Sequence, residues 1–231
     1  MTDDTAPATI LSGITPCISD LATLASRKTA VHLTGCDLRE ADLSSLDLSL
    51  WNFERCDLHR ATLNGAILDR TRWTSCGAAF ADFAGADLNE AAFSACDLNN
   101  ANLRGALLSS ATFVGCKLTG ATLTETRSLD VNFRDTLLIY AKLRGMSFRG
   151  MRLEGVDFSQ ADLGGCDFRD AVFESGSLRE ATLKNARFQG ADLRGADLGG
   201  LRLSDAAILK GATISRVQAG QLLSEFGLFV R

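Results

Sequence analysis

The sequence predicts an all-β fold, a right-handed quadrilateral parallel β-helix closed by short N- and C-terminal capping helices. Three observations predict it: a large apolar residue at every fifth position, a run of cysteines spaced by twenty, and 21 glycines against only 2 prolines in 231 residues.

The five-residue period starts at Leu33 and runs through Leu38, Leu43, Leu48, Phe53, Leu58, Leu63, Leu68 and Trp73. It continues in one phase to Leu203 and Ile208, which makes 36 units, of which only those centred on Ala78 and Ser128 lack a large apolar residue. Two places before each centre stands a small residue, as at Ala61, Ala81, Ala86 and Ala101, and one place before it Asp, Asn or Thr is common. A period of five fits neither the 3.6 of a helix nor the 2.0 of a flat strand. It fits a coil that turns a corner once per unit, with the small residue and the centre pointing inward.

Four sides close a coil of 20 residues, so side chains that far apart should stack. Cys36, Cys56, Cys76, Cys96 and Cys116 keep this spacing, as do Phe53, Trp73, Phe93, Phe113 and Phe133 on one side and Phe148, Phe168 and Phe188 on another. At about 4.8 Å between parallel strands, nine coils give a rod roughly 40–45 Å long. The crossover rule sets a right hand. Units such as ADL, CDL and ANL resemble the pentapeptide-repeat family over about residues 31–210, and the resemblance implies the same four-sided β-helix.

The ends need caps, because a solenoid exposes unpaired backbone there. Residues 1–30 read as a tail and a capping helix over 15–27, with Thr15 as N-cap and Pro16 at the first helical position. Residues 211–231 read as a C-terminal helix and tail. Ser215 and Gln218 form a capping box, Leu222, Leu223 and Phe226 follow, and Gly227 stops the helix before Leu228, Phe229 and Val230. One coil end has little room to bury all of Val217, Leu222, Leu223, Phe226, Leu228 and Phe229. The segment is therefore either a simple cap or a two-fold dimer interface. It is similar to the C-terminal helix and tail of the Qnr/MfpA branch. That likeness implies a homodimer that binds DNA gyrase or another type II topoisomerase by imitating duplex DNA, modulates it, and confers resistance to quinolones or other gyrase poisons. The other reading is a scaffold or effector with an unrelated protein partner.

The formal net charge of −4 argues against direct nucleic-acid binding, since phosphates need a basic surface. Residues 31–103 carry 11 acids and 5 bases. Asp82, Asp87, Glu90 and Asp97 lie in a stretch without Lys or Arg, and Asp37 and Asp57 extend the acidic surface as the candidate partner site. Phe80 falls at an outward position and, with Ile139 and Tyr140 on the same side, forms a candidate apolar patch. Around Ser128 a bulge would let Leu129 take the vacant core place. The thiol ladder runs in a line rather than converging, so it reads as small buried core groups and not as a metal site. His32 and His59 are outward and apart, and no phosphate loop follows a strand, so no enzyme and no cofactor is expected. The acidic start MTDDTAPATI lacks the positive region of a signal peptide, and no apolar run is long enough to span a bilayer. A cytoplasmic protein is expected.

Overall fold

The computed structural model describes residues 9–201, 207–224 and 227–228. Eight strands recur at 20-residue intervals: β2 (Val31–Thr34), β3 (Asn52–Glu54), β4 (Arg72–Thr74), β5 (Ala92–Ser94), β6 (Thr112–Val114), β7 (Asn132–Arg134), β8 (Arg152–Glu154) and β9 (Val172–Glu174). With β1 (Thr9–Ser12) at one edge they form a nine-stranded parallel sheet in sequence order. Register follows the repeat, so Phe53 lies beside Leu33 and Trp73, and Phe93 beside Trp73 and Phe113. The other three sides are joined by single-residue parallel bridges at the same spacing, such as Asp37 to Asp57, Asp42 to Thr62 and Asp47 to Ile67. A further pair, β10 (Gly176–Ser177) and β11 (Ala196–Asp197), thickens one of these sides.

Backbone bonds in both directions build this ladder. The centre's amide donates forward to the next coil, as Leu63 N–H does to Asp82 O at 2.7 Å. The preceding amide donates back, as Asp82 N–H does to Ala61 O at 2.9 Å. Most centres and small residues are buried from Val31 to Leu198, and inward aromatics stack face to face. Phe53 and Trp73 centroids are 3.9 Å apart, Phe93 and Phe113 4.9 Å, and Phe148 and Phe168 4.8 Å. Burying each such side chain is worth about 1.5–3 kcal/mol. Trp73 brings a polar atom inside, and Thr71, at a position usually held by alanine, accepts its Nε1–H at 2.9 Å. The residue two places after nearly every centre turns the corner with positive φ, as at Arg60, Phe80 and Tyr140. At Gly120, where φ is +72°, glycine takes this conformation without strain and leaves room for the Asn100 side chain of the coil before.

The structure corrects three expectations. The N-terminal helix, α1, runs Ile18–Ser26 with Cys17 at its N-cap, so Thr15 and Pro16 precede it. Cys17 has extended backbone, which suits the residue that enters a helix. Leu21 and Ala25 are buried and cover the first coil. Strand β1 lies upstream of the repeat pattern because Thr9 pairs with Val31, a spacing of 22. No bulge brings Leu129 inside. It is 71% exposed, and Ser110 N–H still donates to Leu129 O at 2.8 Å, which holds the regular register. The five-residue phase does not survive intact to Ile208. Asp192 bridges Thr213 rather than residue 212, so the last coil holds one extra residue, and Leu209 is the buried side chain there. Leu203 lies outside the described residues.

If the centres carry the fold, Leu103→Asp should cost more than about 4 kcal/mol by burying an unpaired charge. A melting temperature within a degree or two of the native protein's would show that position 103 does not face the core.

Candidate functional site

Every acid of the candidate surface except Glu90 sits one place before a centre, and the fold gives that position a task. One carboxylate oxygen accepts the amide two residues on, capping the turn: Arg39 N–H to Asp37 at 3.1 Å, His59 N–H to Asp57 at 3.0 Å, Ala84 N–H to Asp82 at 3.1 Å, Asn89 N–H to Asp87 at 3.1 Å and Asn99 N–H to Asp97 at 3.0 Å. The frequent Asp before the centre is thus turn chemistry first. Asp82 also accepts from Asn102 Nδ2 of the next coil at 2.8 Å.

The carboxylates differ in their counter-ions. Asp37 and Asp57 are neighbours on one side, and Arg39 reaches both, at 2.5 Å and 3.7 Å. The Arg39 hydrogen bond holds the Asp37 carboxyl at about 2. Among the described residues Asp82, Asp87, Glu90 and Asp97 have no ion-pair partner within 4.0 Å. Asp97 stands in the Asp37–Asp57 column with Gly77 between, whereas Asp82 and Asp87 follow Thr62 and Ile67 on two other sides. The arrangement is therefore a belt around one coil. Four carboxylates over a rise of about 4.8 Å exceed the roughly three charges that duplex DNA, at one per about 1.7 Å of axis, carries over that length. Arg70 and Arg72 on one flank and Arg104 and Lys117 on the other confine the belt.

The apolar candidates are spread along one edge. Phe80 is 51% exposed, with the His59 ring edge-on at 5.6 Å and the Arg60 guanidinium 5.8 Å from its centroid. Leu137, half-buried Ile139 and exposed Tyr140 share a coil three turns, or about 14 Å, further on. Asn100 and Gly120 separate the two groups in the same column.

At the C-terminal end, helix α2 (Arg216–Ser224) begins with the expected box: Ser215 N–H donates to Gln218 Oε1 at 2.6 Å, and Gln218 N–H to Ser215 Oγ at 3.2 Å. Gln218 does more than sequence reasoning assigned it. It is buried, and its Nε2 donates to Leu193 O and Ala196 O, each at 2.7 Å, satisfying carbonyls of the final regular coil. Leu222 is buried on the same face, Leu223 is half-buried, and Val217 and Leu228 are exposed at 71% and 54%. Gly227 takes positive φ, as a helix-stopping residue does. Phe226 and Phe229 lie outside the described residues.

The thiols are explained by packing. Cys56 Sγ donates to Leu33 O at 3.3 Å and Cys76 Sγ to Phe53 O at 3.3 Å, and Thr136 Oγ1 makes the equivalent bond to Phe113 O at 3.0 Å. Burial pushes the Cys166 thiol up to about 12. Among the described residues no three His, Cys, Asp or Glu side chains converge to hold a metal, and no helix is long and apolar enough to cross a membrane.

Sequence-family comparison agrees with this geometry. Profiles described as pentapeptide repeat region, pentapeptide repeats (8 copies) and pentapeptide repeats (9 copies) match residues 86–157, five segments within 29–91 and 166–216, and residues 138–182. Among solved structures the chain is similar to HetL, described as involved in heterocyst differentiation regulation, from the cyanobacterium Nostoc sp. strain PCC 7120. Identity is 26%, coverage 88% of this chain and 84% of that one, and the TM-score 0.65. It is also similar in fold to full-length QnrB1, a plasmid-mediated fluoroquinolone resistance protein, at 19% identity, 96% and 98% coverage and a TM-score of 0.61. No curated protein matches it.

Replacing Gln218 with alanine should strip the last coil of two hydrogen bonds and cost about 1–3 kcal/mol. Chemical denaturation of the purified variant measures this directly, and an unchanged midpoint would mean that the cap contributes nothing.

Proposed function

The chain belongs to the pentapeptide-repeat family, and from that premise we propose that it is a DNA-mimicking protein that binds DNA gyrase or a related type II topoisomerase. The observation that carries this reading is the belt of Asp82, Asp87, Glu90 and Asp97, none of them held in an ion pair within 4.0 Å and all borne on one regular coil. A DNA-binding saddle is basic, and carboxylates fixed on a hydrogen-bonded coil meet it without the entropy cost of ordering a flexible chain. The likeness of fold to a fluoroquinolone resistance protein supports the reading and leaves the drug open. A homodimer through the C-terminal segment belongs to the same proposal, with Val217 and Leu228 as the exposed apolar contributors.

The test is a gyrase supercoiling assay with and without a fluoroquinolone, run at two salt concentrations. The native protein should alter supercoiling or drug poisoning, and the effect should weaken steeply with salt. Asp82→Asn, Asp87→Asn and Asp97→Asn together keep an acceptor oxygen for each turn, so melting should barely move while the effect on gyrase falls at least tenfold. Equal activity in this triple variant would exclude the belt as the contact. No effect of the native protein on gyrase would favour the second reading, a regulatory scaffold for another protein, which rests on the 26% identity with HetL.

Assembly is tested separately by light scattering at tens of micromolar. The native chain should be a dimer and Val217→Asp with Leu228→Asp a folded monomer. Leu222 is unsuitable for this purpose, since it is already buried within one chain. A native monomer would exclude the interface.

A further inference from the structure

The backbone ladder is open at one place in the middle of the rod. Asp47, Ile67, Asp87, Leu107 and Arg127 are bridged in succession, and so are Ser147, Asp167 and Arg187, but no bridge joins Arg127 to Ser147. Each pairing from β3–β4 to β6–β7 spans three residues, whereas β7 and β8 pair only at Arg134 and Glu154. The amides of Leu108, Ser110, Arg127 and Asn132 all bond across to the neighbouring coil. Their equivalents one coil later, Ser128, Asp130, Ser147 and Arg152, make no such bond. The loss is one-sided. Residues 124–132 remain tied to the coil before them, through Gly105 N–H to Thr124 O and Ser110 N–H to Leu129 O, and are parted from the coil after them. The ladder resumes on both sides of the gap, with Leu123 N–H to Lys142 O at 2.8 Å and Asp135 N–H to Glu154 O at 2.9 Å. A groove of about 280 Å³ opens along it, lined by Asp130, Asn132, Arg149, Met151 and Arg152 among others.

The residues supply the cause. Ser128 is too small to fill the centre it occupies, so nothing in that layer draws the two coils together. In the facing coil Met146 and Met151 stand at positions that most coils give to alanine or cysteine, and Val131 occupies the place equivalent to Met151 one coil earlier. Long side chains at the small positions beside a short residue at the centre hold the layers apart. A coil in a solenoid contacts only its neighbours, so a weak layer divides the stability of the whole.

We infer that this seam is a hinge, dividing the rod into two blocks that bend and open independently, one ending near Arg127 and the other starting near Ser147. A rod with such a joint adjusts its angle to a curved partner, which a continuous ladder resists. The joint is a property of the backbone and does not depend on which partner the rod meets.

Amide hydrogen exchange on the native full-length chain tests the open ladder. Ser128, Asp130, Ser147 and Arg152 should exchange at least tenfold faster than Leu108, Ser110, Arg127 and Asn132, and equal protection would overturn the inference. Bending is read from spin labels in a Cys17→Ser background, at two matched pairs each four coils apart. Ser44 and Thr124 lie within one block, and Arg104 and Lys184 span the seam. The spanning pair should give a clearly broader distance distribution around the ~19 Å expected from four coil spacings. Equal widths would show a rigid rod. Ser128→Leu restores the missing centre and should slow exchange at Ser147 and Arg152 at least threefold, and unchanged exchange would reject the short centre as the cause of the seam.

Discussion

Everything in this molecule depends on closure of the coil after 20 residues, because only then does each backbone amide find a carbonyl in the coil above or below. The ladder admits no helix or hairpin as an alternative, so the interior volume of each layer must be filled by what four centres and four small residues provide. Stacked aromatics do this on one side through Phe53, Trp73, Phe93, Phe113 and Phe133, with ring separations that follow the coil spacing. Polar atoms enter only where a partner is supplied in the same layer, as Thr71 does for Trp73. The ends of the ladder are the exposed liability of such a fold. The helix α1 and the Gln218 side chain cover them by different means, one with apolar surface and the other with hydrogen bonds.

The same closure governs how the surface charge should be read. A fold that favours a turn-capping carboxylate before each centre produces acidic columns with or without a binding role. What distinguishes a functional candidate is therefore the absence of compensation. Asp37 and Asp57 share Arg39, and Asp167, nearly buried, is held by Arg169 and Arg187. The belt from Asp82 to Asp97 caps its turns in the same way but is left without such ion-pair partners. The fold itself is shared by proteins with different named roles, so function has to be argued from these outward residues.

The seam shows the other side of a one-dimensional architecture. In a globular core, a small residue at one buried place is absorbed by neighbours from several elements. In a solenoid only the adjacent layers can respond, and at Ser128 they respond by parting. The fault at Ala78 has no such effect: its coil keeps both ladder bonds, with Ala78 N–H to Asp97 O at 2.7 Å and Gly77 N–H to Cys56 O at 3.0 Å. Phe83 and Trp73, packed edge to face from the two sides that flank it, fill the layer around it.

The repeat alone determined the fold, the inward set and the stacking partners, because a five-residue period with 20-residue echoes has one compact solution. It also determined the capping box, since Ser215 and Gln218 act within one turn of helix. Tertiary structure decided what depends on contacts across layers. The 22-residue offset of β1 and the extra residue before Thr213 break the period, so counting could not reach them. Gln218 reaching Leu193 and Ala196, Arg39 neutralising Asp37 and Asp57, and the distance between Phe80 and Tyr140 all join residues whose closeness exists only once the coil has closed. Leu129 is the clearest case. Its apolarity argued for the core, but leaving the register would have broken the backbone bonds to the preceding coil, and those bonds prevailed.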